Sequence, residues 1–211
     1  MKVRVITYVD GFNLYHALDN LRRSELKWLD LWKLTEHFID PNHHEIVGVK
    51  YFSAYAHWLD GPVERHREYV AALSAVGVTP IMGHFKDKGR KCPDCSHRWT
   101  GHEEKETDVN LALGLVADAY KDLYDEAFVI SRDSDLGPAV RMVLKDFPHK
   151  KIKMLAPPRL RHSKELAQAV GKNKLATIKD IHLERSLLPE RIEDQNSGDV
   201  IALRPEKYSP A

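Results

Sequence analysis

Five short apolar runs alternate with segments of helical length, and this alternation constrains the fold more than any other feature. The runs are Val3–Val9, Val47–Tyr55, Val78–Phe85, Ala127–Ile130 and Lys151–Leu155. They are rich in β-branched residues and bounded by turn residues, so each reads as a buried strand. Helices are expected from Asn13 onward, over Leu29–Ile39, over Val63–Val76 with Gly77 in the C-cap role, and over Pro138–Phe147. A further helix opens at Asp108. Its apolar series Val109, Ala112, Leu113, Val116, Ala117 and Tyr120 is expected to face the core, with Asp118 and Asp122 on the other side. A short helix, a β-like stretch at Ala176–Lys179 and a last helical turn follow. Such alternation gives a three-layer α/β fold with a mostly parallel sheet covered on both faces. A chain of 211 residues holds one core of this kind. Residues 1–189 are read as one domain. Residues 190–211, polar and without a period, are read as a C-terminal tail.

Charge and cysteine content narrow the function. Charged residues make up 30% of the chain, yet the formal net charge is +1, so any hold on nucleic acid must come from a local patch. The two cysteines, Cys92 and Cys95, exclude a disulfide scaffold. No apolar run approaches the roughly 20 residues a membrane helix needs. Met1-Lys2 leads straight into a strand without a cleavage site. The expectation is a cytoplasmic protein that does not use a membrane.

In parallel α/β sheets, ligands sit beyond the carboxyl ends of the strands. Asp10 directly follows the first run. Asp133 and Asp135 directly follow the fourth, in Ile130-Ser-Arg-Asp-Ser-Asp-Leu136. Asp108 opens the helix before that run. All four are therefore expected at one edge. Each alone could be a helix cap or a turn residue; together they imply a charge problem. Two unit charges about 4 Å apart repel by roughly 4 kcal/mol at an effective dielectric of about 20. A divalent cation removes that repulsion, and oxygen-only ligands suit Mg²⁺ or Mn²⁺. Such a centre activates a water and neutralises a phosphodiester.

Three segments carry a family resemblance. Tyr8-Val-Asp-Gly-Phe-Asn-Leu-Tyr15, Glu103-Glu-Lys-Glu-Thr-Asp-Val109 and Val129-Ile-Ser-Arg-Asp-Ser-Asp-Leu136 stand in the order and spacing of the motifs of NYN domains, a branch of the PIN-like nucleases. Leu183–Pro189 is similar to the family's closing segment, so the resemblance covers about residues 1–189. It implies a PIN-like fold and metal-dependent cleavage of RNA. On that resemblance, Asp10, Asp108, Asp133 and Asp135 match the metal-binding carboxylates and complete the catalytic set with Asn13, the motif asparagine. Ser131 matches the small hydroxyl residue before the acidic pair. The sequence departs from the pattern at Arg132 and Glu106, where glycine is usual, and at Leu136, where an aromatic residue is usual. A non-catalytic RNA-binding adaptor on the same fold is the alternative, and Arg132 beside the acidic pair is the feature that favours it.

Residues 86–102 break the strand–helix rhythm. Cys92, Cys95, His97 and His102 resemble a small zinc knuckle, with His84 as a further imidazole; a structural Zn²⁺ would hold an insert too polar to fold by apolar burial. Lys145–Lys164 contains seven Lys or Arg. Arg159, Arg161 and Lys164 follow the fifth run, on the carboxylate edge, and with Arg132 they are the expected RNA-backbone contacts. Lys150, Lys151 and Lys153 are either part of that surface or a solvated face. Tyr15, His16, Trp58 and Trp99 could stack on unpaired bases, with core packing the favoured reading for Tyr15 and Trp58. RNA is the expected partner, and a homo-oligomer is left open.

Overall fold

The computed structural model describes residues 1–210. Ten strands and seven α-helices follow one another as β1 (Val3–Asp10), α1 (Gly11–Asp19), α2 (Leu31–Glu36), β2 (His44–Ser53), α3 (Asp60–Ala75), β3 (Val78–Met82), β4 (His84–Lys91), β5 (Arg98–Lys105), α4 (Thr107–Tyr120), β6 (Glu126–Ile130), α5 (Gly137–Asp146), β7 (Lys151–Ala156), α6 (Lys164–Val170), β8 (Leu175–Thr177), α7 (Asp180–Glu184), β9 (Arg191–Glu193) and β10 (Val200–Leu203). Six strands form the central sheet in the order β3-β2-β1-β6-β7-β8. Every pairing in it is parallel. The expected α/β class with a parallel sheet is the one observed. From β1 the chain builds outward to β3, then returns to build outward on the other side from β6. Between β1 and β6 the order reverses, and folds of this type open a crevice there at the carboxyl edge.

The two faces of β1 belong to two cores. Val5 and Val9 pack with Leu14, Leu18, Leu31, Leu34 and Leu73 under α1, α2 and α3. Ile6 and Tyr8 pack with Leu111, Leu115, Val140 and Val143 under α4 and α5. A two-residue side-chain period places alternate residues in opposite layers, so each layer gains about 1.5–3 kcal/mol per large side chain removed from water.

Several boundaries differ from expectation for identifiable reasons. The third strand stops at Met82 rather than Phe85. Gly83 follows, where an added Cβ would lie 2.5 Å from the Lys105 carbonyl oxygen. The chain then turns into a separate antiparallel hairpin, β4 on β5. Helix α2 begins at Leu31, not Leu29, because the Asp30 carboxylate caps it by accepting from the N–H groups of Trp32 and Lys33. Gly77 adopts φ +88° after α3, as its expected C-cap role requires.

Helix α4 corrects the sequence reading of its face. Leu111, Leu115 and Ala119 are buried, whereas Val109, Leu113 and Tyr120 are more than half exposed. Asp118 is inside, not outside. The Tyr8 hydroxyl donates to its Oδ2 at 2.6 Å and the Lys50 ammonium at 2.5 Å. A buried carboxylate persists when paired in this way.

The segment from Glu190 is no tail. Strands β9 and β10 pair antiparallel. Ile192, Ala202 and Tyr208 pack with Trp28 and Ala72 in a third apolar cluster. Lys150 and Lys153 prove structural. Buried Lys150 donates to Asp122 Oδ1 and the Tyr124 carbonyl, both at 2.6 Å. Lys153 donates to the Phe38 carbonyl at 3.2 Å. No helix among the described residues is long and apolar enough to cross a membrane.

Candidate functional site

Val9 of β1 is in register with Ile130 of β6, so Asp10 and Ser131 leave the sheet side by side. Asp10 is 4% exposed, and both its carboxylate oxygens are occupied. Oδ1 accepts the N–H of Asn13 at 2.9 Å, capping α1. Oδ2 accepts the Ser131 hydroxyl at 2.8 Å. Ser131 Oγ in turn accepts the N–H of Asp133 at 3.0 Å, and Asp133 Oδ1 accepts the N–H of Asp135 at 2.9 Å. One hydrogen-bonded chain thus fixes Asp10, Ser131, Asp133 and the backbone of Asp135.

Asp108 approaches from the first turn of α4. The residue before that helix, Glu106, takes φ +77°, the left-handed conformation that favours glycine. A glutamate thus adopts here a backbone shape that glycine takes more readily. Glu104, near the end of β5, joins the same region. Its Oε1 accepts the N–H of Thr107 at 2.9 Å and also the Thr107 hydroxyl.

These carboxylates share one electrostatic field. Burial raises the pKa of Asp10; the Asn13 and Ser131 hydrogen bonds oppose the shift, and the charges of Asp133 and Glu104 add to it. Asp108 is pushed up to about 6, first by burial and then by Asp10, Asp133, Glu104 and Asp135. Among the described residues, none of these five carboxylates has a Lys, Arg or His ion-pair partner. No three His, Cys, Asp or Glu side chains among the described residues stand close enough to hold one ion by themselves. The four expected aspartates do lie at one sheet edge. Glu104 belongs with them and was not singled out in the sequence. Asn13 contributes its backbone N–H to the site.

The basic residues divide. Arg132 Nε donates to the Arg161 carbonyl at 2.5 Å, so this side chain ties β6 to the loop after β7 and forms no ion pair with Asp133 or Asp135. Arg159 is bound to Asp180 at 2.5 Å. Arg161 and Lys164 are exposed beyond the carboxyl end of β7.

The insert is the β4–β5 hairpin. Cys92 and Cys95 lie in its tip, where the N–H groups of Cys95 and Asp94 lower the pKa of the Cys92 thiol. His102 lies four rungs down the stem, opposite Asp87, whereas Lys91 and Arg98 close the ladder at the tip. At about 3.3 Å per residue that is roughly 13 Å from the turn. His102 Nδ1 meets Asp87 at 2.8 Å, and the ring stacks on Trp58 at 3.7 Å. His97 stacks on Trp99 at 6.2 Å, and His84 Nδ1 meets Glu106 at 3.4 Å. His97 itself lies in the tip, where its carbonyl accepts the Cys92 N–H at 2.8 Å. The expected four-ligand set is therefore not gathered, because His102 follows the strand ladder away from the turn.

A cavity of about 170 Å³ lies on the other side of the Asp10–Gly11 backbone, between α1 and α3. Tyr15, Leu18, Tyr51, Tyr69 and Tyr208 are among the residues that line it. No feature of the sequence announced it, since its residues come from five separate segments.

Comparison with known proteins agrees with this architecture. A crystal structure of a Vibrio parahaemolyticus protein of unknown function superimposes with a TM-score of 0.55 at 20% identity, covering 89% of this chain and 97% of that one. That likeness concerns the fold alone. The Pseudomonas putida protein named 6-hydroxy-3-succinoylpyridine 3-monooxygenase HspA is 30% identical, over 67% of this chain and 55% of its own length. The chain thus spans about half of that curated relative. The NYN domain family model matches residues 4–171, a span that holds Asp10, Glu104, Asp108, Ser131, Asp133 and Asp135. The chain belongs to the NYN domain family.

Proposed function

We propose that this protein is a ribonuclease that hydrolyses RNA phosphodiester bonds with the help of Mg²⁺ or Mn²⁺ at the carboxyl edge of β1 and β6. The observation that carries this reading is the set of five carboxylates, two of them held above their ordinary pKa, without a cationic partner among the described residues. The donor set suits a hard divalent cation. Mg²⁺ commonly keeps several waters and takes only one or two carboxylates together with substrate phosphate. Asp10 and Asp133 are the proposed direct ligands, with Glu104, Asp108 and Asp135 acting through water. When bound, the ion supplies charge neutralisation and an acidified water.

The protein's own residues supply the geometry. Ser131 and the Asn13 N–H fix the Asp10 carboxylate, so its orientation needs no rearrangement during reaction. Arg161 and Lys164 offset the charge of the RNA backbone. In the hydrolysis, a water oxygen bonds to phosphorus as the ester bond in line with it breaks, and a proton ends on the leaving oxygen. The name of the Pseudomonas relative describes a monooxygenase acting on a pyridine derivative; the ribonuclease reading rests on the carboxylates and not on that relative. Arg132, bound to the Arg161 carbonyl, leaves the acidic pair free of a cation, which favours a nuclease over a non-catalytic adaptor. Zinc at the Cys92–Cys95 turn is a separate proposal, read by metal analysis of the purified chain.

The test is cleavage of end-labelled single-stranded RNA with Mn²⁺, Mg²⁺ or EDTA. Wild type should cut only with the divalent ion, and Asp10→Asn and Asp133→Asn should not cut. Equal cleavage by wild type and Asp10→Asn would overturn the reading.

A further inference from the structure

The cavity between α1 and α3 lies across the β1 backbone from the carboxylates, near enough for the charge of Asp10 to act on Tyr51. Asp10 belongs to the β1 series with Ile6 and Tyr8, which faces α4 and α5. Tyr51, Leu14 and Leu18 line the cavity and belong to the opposite core. Its size selects one ring. An engineered protein cavity of about 150 Å³ takes up benzene, and this one measures about 170 Å³. Its walls offer aromatic faces and edges. Tyr51 and Tyr69 stand edge-to-face at 5.9 Å, and Tyr15 is exposed enough on its outer side to form a rim. A planar ring gains from such surroundings beyond simple area burial.

The polar groups on the wall select a charge. Lys27 is neutralised by Asp19. His66 is neutral at pH 7, because burial lowers its pKa to about 4, and its Nε2 rests against the Tyr51 hydroxyl at 3.2 Å. Arg65 is different. Among the described residues it has no carboxylate within salt-bridge distance, and its Nε is buried without a hydrogen-bond partner. The rest of its guanidinium reaches the Tyr208 side chain. A buried donor left without an acceptor costs about 1–3 kcal/mol, so the orphaned Nε beside an apolar cavity calls for an acceptor, and an anionic one also answers the charge. The guanidinium fork suits a carboxylate or a phosphate.

We infer that this cavity binds a monocyclic aromatic ring bearing an anionic group, with the ring among Tyr15, Tyr51 and Tyr69 and the anion on Arg65. Two sources share this chemistry, a free aromatic acid and a pyrimidine nucleotide. Binding requires no cleavage, so the site stands or falls apart from the ribonuclease reading.

The experiment is calorimetric titration of the full chain with benzoate, benzamide and uridine 5′-monophosphate. Benzoate should bind with a Kd of about 1 mM or tighter, a modest demand for so small a ligand. It should bind about tenfold more tightly than benzamide, its uncharged isostere. Arg65→Gln should remove that preference, and Ala56→Phe, which fills the cavity, should abolish benzoate binding without lowering the melting temperature. A tenfold advantage for the nucleotide over benzoate assigns the ring to a pyrimidine nucleotide; no advantage assigns it to a free acid. Equal affinity for benzoate and benzamide in wild type overturns the inference, even if Arg65→Gln does not fold. So does the absence of saturable binding by benzoate and nucleotide alike.

Discussion

The Ser131 hydroxyl donates to Asp10 Oδ2 at 2.8 Å and joins the end of β6 to the end of β1. Its oxygen also accepts the Asp133 N–H at 3.0 Å. One side chain thus sets the position of two carboxylates. Ser131→Ala should cost about 1–3 kcal/mol, since a buried charged acceptor loses a donor. Urea denaturation measures this. RNA cleavage should fall with it, and Ser131→Thr should recover most of both.

Asp10→Asn should separate stability from activity. The substitution removes a charge that burial, Asp133 and Glu104 all disfavour. Stability without added metal should rise by about 1 kcal/mol, while metal-dependent cleavage falls by about a hundredfold or more. A variant less stable than wild type in EDTA would contradict the electrostatic account.

His66 should make folding sensitive to acid. Its folded pKa of about 4 lies below its ordinary 6.5. Between those values the unfolded chain binds more protons, so this contribution to stability is complete above pH 6.5 and is lost as pH falls toward 4. The loss is no more than about 3 kcal/mol. His66→Gln should flatten the urea midpoint across this window; an unchanged slope would show that His66 is not buried as a neutral group.

Tyr208→Ala should show that residues 190–208 belong to the folded body. Tyr208 is 7% exposed and packs near Trp28 and Ile192. Truncating it should cost about 3 kcal/mol. Thermal unfolding reads the change, and a shift no larger than that of a surface substitution would detach the hairpin from the core.

Glu106 carries φ +77° before α4. Glu106→Gly should be well tolerated. Glu106→Val, with a β-branched side chain in the left-handed region, should lose at least about 1 kcal/mol. Equal stability of the two variants would argue against that backbone conformation.

The sheet and its carboxylate edge were legible because apolar runs followed by aspartate leave few alternatives. The inward face of α4 was not. Apolar residues occupy both of its sides, so periodicity favoured Val109, Leu113 and Tyr120 although Leu111 and Leu115 are the buried ones. Glu104 escaped notice among Glu103, Glu104 and Glu106, which are chemically alike. Only the hairpin register, with Glu104 opposite Phe85 and Glu103 opposite Lys86, distinguishes which strand face each takes. The C-terminal hairpin was missed because Ile192 and Ala202 are too sparse to show a strand period. Close sequence spacing did not place His102, because a straight β-ladder carries it four rungs from the Cys92–Cys95 turn.

The bond between Asp10 and Ser131 closes a loop of 121 residues. A ribosome can supply β2 early, but it must release the sixth strand before the first can receive its partner on the other side. No shorter nascent chain can assemble the carboxylate cluster. Contacts this distant along the chain also form late and slowly, so closure of the carboxylate cluster should be one of the last events of folding.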